Sequence, residues 1–302
     1  MQRAVTEDPS EAAWFGREDV TEQRRRAIES PEALIASSQG LRAPPALAAK
    51  ILGLSHDPHA TFVDLRIALE QDPALSAQLV RTANSVAFAT RYPCASLDDA
   101  VMRLGRDRVR AVAAGLVAMG AFERETAETM KVRRHSAAVA AIAETLGREY
   151  RRANAADLFL LGMVHDIGKL VFAESGSLDH GEAPGPILDH PGRSHAWEEQ
   201  QVGFDHAALG AAVLEAWGFP ESITHAVELH HDPGDAYSEG REIASTVAIL
   251  RLADEVEYAI WIAEPEAWTR IAHGGECSYL GITEAVLAAA WPKLVAAAEE
   301  PG

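Results

Sequence analysis

Apolar residues recur along most of the chain at intervals of three and four positions, which is the spacing of one face of an α-helix. The pattern predicts helices over residues 61–71, 73–88, 96–104 and 106–120, with Pro73, Ser96 and Asp107 near their starts. A second group of helices is predicted from about residue 132 to 262, and a last helix over about 284–299.

Two stretches lack this periodicity. Residues 1–30 are polar and of mixed charge, which is typical of a peripheral helix or a partly ordered arm. Residues 174–195 are rich in Gly, Pro, Asp, His and Ser, which predicts an irregular loop. We expect the histidines of this loop at the surface and not as ligands; they are His180, His190 and His195.

Composition supports a helical fold and narrows the function. Apolar residues make up 48% of the 302 residues but aromatic ones only 6%, with alanine frequent, which favours packed helices; we predict an all-α bundle. A net charge of -18 disfavours extended contact with nucleic acid or a membrane surface. Cys94 and Cys277 are too few for a disulfide framework or a thiolate zinc site. Because we find neither a signal-peptide core nor a membrane-length apolar run, we expect a cytoplasmic protein.

Several imidazole and carboxylate groups share the predicted apolar faces of separate helices. His135, for example, is in register with Val139 and Ile142, His230 with Ile223 and Val227, and Asp254 with Val247 and Leu250. Asp205 is the predicted cap of a helix that holds His206 in its first turn. A single buried polar group of this kind is usually a hydrogen-bonded core residue, but several on successive helices favour a shared cation. The candidate ligands are His135, His165, Asp166, His206, His230, His231 and Asp254.

Nitrogen and oxygen donors of this kind suit Fe, Mn, Zn, Ni or Co. His206, His230 and His231 would complete a second metal position bridged by Asp166, and two ions together would support phosphate hydrolysis. Asp166 and Lys169 are therefore the candidate catalytic residues. Lys169 has an equally good alternative role, as a lysine at a helix C-terminus that interacts with the helix dipole.

The order His, His-Asp, His, His-His, Asp resembles the HD superfamily of metal-dependent phosphohydrolases. Further motifs resemble its HDOD (HD-related output domain) family over about residues 41 to 235. They are Asp72-Pro73-Ala74-Leu75, Ala83-Asn84-Ser85, Leu97 to Gly105, His206 to Gly210, Trp217 to Pro220 and His230-His231.

The HDOD resemblance implies an all-helical fold of two subdomains and a regulatory output role in bacterial signal transduction. Catalysis is usually doubted for HDOD proteins, many of which have lost HD ligands, whereas this chain keeps His135, His165, Asp166 and Asp254. The related HD-GYP phosphodiesterases carry a lysine like Lys169 and a histidine pair, but their Gly-Tyr-Pro signature is missing here. Hydrolysis of cyclic di-GMP is therefore not implied.

We predict four segments: an arm over 1–30, an N-terminal helical subdomain over 31–125, an HD-like subdomain over 126–265 and a helical extension over 266–302. Arg81, Asn84 and Ser85 either have structural roles or line a cleft that holds a ligand or partner. The favoured function is a regulatory module that acts on a signalling protein, and the alternative is a phosphohydrolase acting on a nucleotide or cyclic dinucleotide. The alanine-rich helices allow a homodimer without requiring one.

Overall fold

The computed structural model describes residues 30–38, 46–56, 59, 61–84, 92–150, 155–185, 194–239 and 241–299. Within these ranges the regular structure is helical and contains no β-strand, which confirms the predicted all-α fold. None of the described helices combines the length and the apolar character needed to cross a bilayer. The arm up to residue 29, Ser85 and His190 lie outside the described residues.

The first group of helices follows the predicted segments closely. They are α1 (Pro31–Ser37), α2 (Ala46–His56), α3 (Phe62–Leu69), α4 (Pro73–Asn84), α5 (Leu97–Leu104) and α6 (Arg106–Gly120). Thr61 and Ser96 cap the starts of α3 and α5, and each forms a reciprocal capping box with the aspartate three residues later. These local hydrogen bonds explain why the sequence locates these two starts well.

The middle of the chain contains the longest helix of the described residues. The elements are α7 (Ala127–Tyr150), α8 (Ala155–Val164), α9 (Ile167–Ser175), a 3₁₀ turn (His180–Glu182) and α10 (Ser194–Val202). The predicted irregular loop over 174–195 therefore includes a short 3₁₀ turn and ends where α10 begins.

The last helices are α11 (His206–Ala216), α12 (Glu221–Glu228), α13 (Pro233–Glu239), α14 (Arg241–Trp261), α15 (Ala267–Ala272), α16 (Gly275–Leu280) and α17 (Glu284–Glu299). One prediction in this region is wrong. His230 was expected on the helix that carries Ile223 and Val227, but α12 ends at Glu228 and His230 lies in the following turn.

Helix α7 forms the centre of the packing and contacts α8, α14 and α17. Its residues Val139, Ile142 and Leu146 are fully buried. Helix α8 crosses it closely at Gly162, where a Cβ atom would lie only 2.5 Å from the Cα of Ala140. The fold therefore places the helix that carries His135 beside the helix that leads to His165.

Helices from all the predicted helical segments contribute to one cluster of buried residues, which extends from Leu34 to Leu294. Helix α6 packs against α8, and α1 packs against α11 although it lies far from it in sequence. The boundaries of the predicted subdomains remain a prediction.

Gly168 allows α9 and α11 to approach closely. A Cβ atom at this position would lie 2.1 Å from the carbonyl oxygen of His206, which belongs to the backbone and cannot move aside easily. Gly210 of α11 faces the same contact, since its Cβ would lie 3.3 Å from the backbone nitrogen of Gly168. This pair of glycines brings His206 to the helix end that carries Asp166.

We predict that Gly168→Ala lowers the free energy of unfolding by about 3 kcal/mol, because the added methyl group forces the two helices apart. Gly53→Ala is the matched control, since Gly53 lies exposed in α2 with no atom within 4 Å of a Cβ. This control should gain about 1 kcal/mol from helix propensity. Urea denaturation followed by circular dichroism measures both, and equal stability of the two variants would contradict the packing described.

Candidate metal centre

The seven candidate ligands reach one region from several elements. His135, His206 and Asp254 lie in α7, α11 and α14, and His206 is the first residue of its helix, as predicted from the Asp205 cap. The other four lie where helices end. His165 and Asp166 separate α8 from α9, and His230 and His231 form the turn between α12 and α13.

The donor atoms of these residues fall into two groups, in each of which they all lie within 4.8 Å of one another. The first group contains Asp166, His206, His230 and His231, and the second contains His135, His165 and Asp254. The structure therefore brings together all seven residues, and it separates them into the two sets that the sequence suggested.

Asp166 lies between the two groups. Its Oδ1 is 3.0 Å from Nε2 of His206 and 3.6 Å from Nε2 of His165. Its Oδ2 is 3.6 Å from Nε2 of His135 and accepts a 2.7 Å hydrogen bond from Nζ of Lys169. One buried carboxylate thus faces donors of both groups, which is the position expected of a bridging ligand.

Four of the five histidines are oriented in the same way, with Nδ1 hydrogen-bonded away from the centre. Nδ1 of His165 bonds to the carbonyl of Gly162 at 2.9 Å, and Nδ1 of His230 to that of Val227 at 2.6 Å. The Nδ1 atoms of His135 and His206 bond to carboxylates described below, and in every case Nε2 faces the centre. Histidine ligands of metal sites are commonly oriented in this way.

The carboxylates that bond to Nδ1 of His206 and His135 belong to the buried Glu198 and the half-buried Glu257. Neither glutamate was predicted from the sequence. Glu257 lies 2.9 Å from Nδ1 of His135, and Glu198 lies 2.6 Å from Nδ1 of His206 and also accepts the backbone N–H of His206. Glu257 could have been found, because it follows Asp254 by three residues on one helix face. Glu198 lies beside a loop without periodicity and gave no such signal.

The titration of the centre reflects burial and these carboxylates. Burial lowers the pKa of His165, His230 and His231. Burial acts on His135 and His206 in the same sense, but Asp254 and Glu257 raise the pKa of His135 to about 10, and Glu198 raises that of His206 to about 9.

Asp166 stays ionised although it is buried. Burial alone would raise its pKa, but the charges of Lys169, His165 and His206 hold that pKa well below the usual range. At Lys169, burial alone would lower the pKa of the ammonium group, but the negative charge of Asp166 has the larger effect and raises that pKa. Lys169 lies in the first turn of α9, so the alternative of a lysine at a helix C-terminus is wrong; the helix breaks at Asp166 and starts again.

Two histidines of the predicted loop lie closer to the centre than expected. Nε2 of His180 bonds to Glu198 at 2.6 Å with 16% of the side chain exposed, and the ring of His195 stacks on that of His231 at 4.4 Å. Neither belongs to a donor group. They are half-buried neighbours of the ligands and not free surface residues.

A cavity of about 240 Å³ adjoins the centre. Asp166, Lys169 and His231 line it at the centre, and Tyr258 and Trp261 line it further out. The remaining lining includes charges of both signs: Lys131, Arg134 and Arg251 are positive, and Glu128, Glu255 and Glu257 are acidic. The donor groups are therefore accessible to a ligand.

The weaker candidates in α4 have different surroundings. Asn84 exchanges two hydrogen bonds with the backbone of Cys94, at 2.9 and 2.7 Å, and also accepts one from Arg103. Arg81 is exposed on the same helix. Asn84 therefore has the structural role, and a cleft that holds a ligand remains a prediction for Arg81 and Ser85.

We predict that Glu198→Ala lowers the free energy of unfolding of metal-free protein by about 3 kcal/mol, since it leaves buried groups of His206 and His180 unpaired. Because the pKa of His206 is raised in the folded protein, the stability lost in the variant has its full size below pH 6.5, the ordinary pKa of histidine. The loss becomes smaller as the pH rises through about 9. The depressed pKa of Glu198 makes the loss smaller again in acid. Denaturation across this pH range measures the loss of stability, and Glu199→Ala, which changes the exposed neighbour, is the control. An equal loss of stability in the two variants would contradict the pairing of Glu198 with His206 and His180.

The sequence of the chain matches a known protein family. The profile of the HDOD domain family matches residues 41–233. The chain is also similar to an uncharacterised protein of Treponema pallidum (strain Nichols), with 24% identity over 220 residues. This match covers 69% of the chain but only 41% of the relative, so the chain spans less than half of that protein's length.

Solved structures share the fold. An HDOD domain protein of unknown function from Geobacter sulfurreducens superposes with a TM-score of 0.70 at 22% identity, covering 94% of this chain and 99% of that one. A protein of Shewanella amazonensis SB2B, provisionally named a phosphohydrolase, gives 0.66 at 22% identity over 88% and 97%. A protein of Marinobacter aquaeolei VT8, provisionally named a signal transduction protein, gives 0.64 at 23% identity over 94% and 65%. Since the family profile covers well over half of its length, the chain belongs to the HDOD domain family.

Proposed function

We propose that the chain is a regulatory protein of the HDOD family that holds divalent metal at its two donor groups. The observation that carries this proposal is the convergence of five histidines and two aspartates into two donor groups with Asp166 between them. Four of the seven residues line one cavity: His135, Asp166, His231 and Asp254. Nitrogen and oxygen donors without thiolate favour Fe, Mn, Zn, Ni or Co.

The residues fit a metal in a further respect. Nε2 of His230 is buried and has no hydrogen-bond partner in the described part of the chain. Nε2 of His206 and Nε2 of His231 face each other at 2.9 Å, and those of His135 and His165 face each other at 3.3 Å. A cation shared by such nitrogens satisfies atoms that the protein alone leaves unpaired or crowded.

The regulatory role rests on the family and on the chain's resemblance to a protein named for signal transduction. In this role the helices transmit the presence or absence of bound metal to a partner, which is a signalling protein. A nucleotide is the alternative ligand of the centre. The helices that carry His135 and Asp254, α7 and α14, are in direct contact and also contact α17. A change at the centre therefore reaches helices that extend to the surface.

Metal-dependent phosphate-ester hydrolysis is a second candidate, favoured by Lys169. Its ammonium group lines the cavity and is held at 2.7 Å by Asp166, where it can neutralise a phosphoryl oxygen. Bound metal ions would supply Lewis acidity towards the phosphate and a water molecule. Tyr258 and Trp261, with ring centroids 6.1 Å apart, form a wall suited to the base of a nucleotide.

We expect purified protein to contain up to two divalent ions per chain, since it has two donor groups. The double variant His165→Ala/Asp166→Ala, which removes a ligand from each donor group, should lower that content to below about one-tenth of the wild-type value while the helical circular dichroism spectrum is retained. Mass spectrometry of the metals measures the content. His225→Ala, which changes a histidine of α12 outside both groups, is the control. A wild-type protein that folds but binds none of these metals sinks the proposal.

If the centre is catalytic, Lys169→Met should lower kcat/KM, expressed per bound metal ion, about 100-fold, because it removes a charge that faces the phosphate. The assay uses bis(p-nitrophenyl) phosphate and nucleotides with Mn²⁺ or Fe²⁺ added. Met130→Ala, in the exposed part of α7, serves as control. Metal-loaded wild-type protein without turnover on any of these substrates rules against hydrolysis and leaves the regulatory role.

A further inference from the structure

Helix α16 lies beyond residue 233, where the family match ends, yet it is connected to the metal centre through Arg251. Arg251 extends from α14 and donates two hydrogen bonds, each of 2.7 Å. Nη1 donates to the backbone carbonyl of His230, and Nε donates to the carboxylate of Glu276 in α16. Glu276 thus fixes the side chain that holds the His230 carbonyl.

A second contact joins α16 to the same turn. The ring of Tyr279 stacks on that of Tyr237 with centroids 4.8 Å apart and an angle of 27°. Tyr237 belongs to α13, which begins directly after His231 and Asp232. Burial and the neighbouring Glu276 carboxylate raise the pKa of Tyr237, so both contacts lie in one cluster.

Helix α16 itself is anchored in the core. Cys277 and Leu280 are buried, while Glu276 and Tyr279, which are three residues apart, reach towards α14 and α13. The side chain of Glu276 is only 18% exposed and that of Arg251 29%, so their ion pair is partly shielded from water. An ion pair in such surroundings fixes geometry better than a fully exposed one.

The Arg251 hydrogen bond supplements the other contacts of this turn, which include the 2.6 Å bond from Nδ1 of His230 to Val227 and the stack of His195 on His231. The backbone bonds of this turn include the 3.5 Å bond from the His230 N–H to Val227 and the 3.0 Å bond from the Asp232 N–H to Leu229. Both of its histidines belong to the same donor group, whereas the second group uses residues of α7, α14 and the end of α8. Loosening the turn should therefore affect one metal position and spare the other.

We infer that Arg251 and Glu276 are positioning residues, through which helix α16 sets the geometry of the donor group formed by Asp166, His206, His230 and His231. This inference rests on the proposed function, because it assigns a metal affinity to that group. Any partner or modification that displaces α16 would alter one metal position selectively.

The test is a Co²⁺ titration of metal-free full-length protein, followed by calorimetry and by the visible spectrum. Glu276→Ala should lower the affinity for one of the two Co²⁺ ions about 10-fold, which is the usual size of the effect of losing an outer support of a ligand. The affinity for the other ion should stay unchanged. Glu276→Gln, whose amide oxygen still accepts from Arg251, should restore most of the affinity. Glu264→Ala is the matched control, since Glu264 also pairs with an arginine, Arg270 at 2.8 Å, in the C-terminal region.

The same effect of Glu276→Ala should persist in a His135→Ala background, where the second donor group is disabled. Equal weakening of both Co²⁺ ions, no weakening, or loss of the effect in that background would overturn the inference. A purely structural role would lower the affinity of both positions together.

Hydrogen–deuterium exchange of metal-free protein separates this inference from the proposed function. Glu276→Ala should speed exchange in a peptide that covers Leu229–Asp232, while Glu264→Ala should not. Unchanged exchange overturns the inference whether or not Co²⁺ binds. If wild-type protein binds no Co²⁺, the proposed function fails, and the exchange measurement alone decides whether α16 positions the turn.

Discussion

The buried charge of Asp166 is the constraint on which the rest of the site depends. An ionised carboxylate that is almost fully buried is tolerated only where opposite charges and hydrogen bonds surround it. Lys169 supplies a cation at 2.7 Å, and His206 supplies an imidazole at 3.0 Å. Every other feature of the centre can be understood as a means of bringing donors to this carboxylate and keeping them oriented.

The fold meets this constraint mainly at helix ends. The break between α8 and α9 directs His165 and Asp166 into the same space and places Lys169 in the next turn. Gly168 lets α11 approach, so that its first residue, His206, reaches Asp166. Outside the donors, Glu198 and Glu257 fix the rings of His206 and His135. Such outer carboxylates orient histidines and increase their affinity for metal.

Much of this could be predicted from the sequence, because helical periodicity and caps are local. The pattern identified the helices from α3 to α6 to within a few residues of their ends. It also placed four of the seven donors on apolar helix faces: His135, His165, His230 and Asp254. The sequence placed His230 on a helix, since Val227 and His230 keep helical spacing across the true end at Glu228. Periodicity alone does not reveal a helix end that lacks a strong stop signal.

Other features depend on contacts between residues far apart in sequence, which no local pattern encodes. Glu198 becomes part of the centre only because α10 packs beside the start of α11, and Arg251 reaches His230 only across the fold. The role of Lys169 also depended on the unexpected helix break. These residues determine how the donors are held, whereas four of the seven donors were visible as polar residues on apolar faces.

The central claim is that the seven side chains form one metal centre. Anomalous X-ray diffraction from crystals of the purified protein, recorded above and below the absorption edge of the metal found in it, tests this claim most directly. The account predicts anomalous peaks within the two donor groups, on either side of Asp166. A well-ordered centre without an anomalous peak, or a metal bound only by residues elsewhere on the protein, would contradict it.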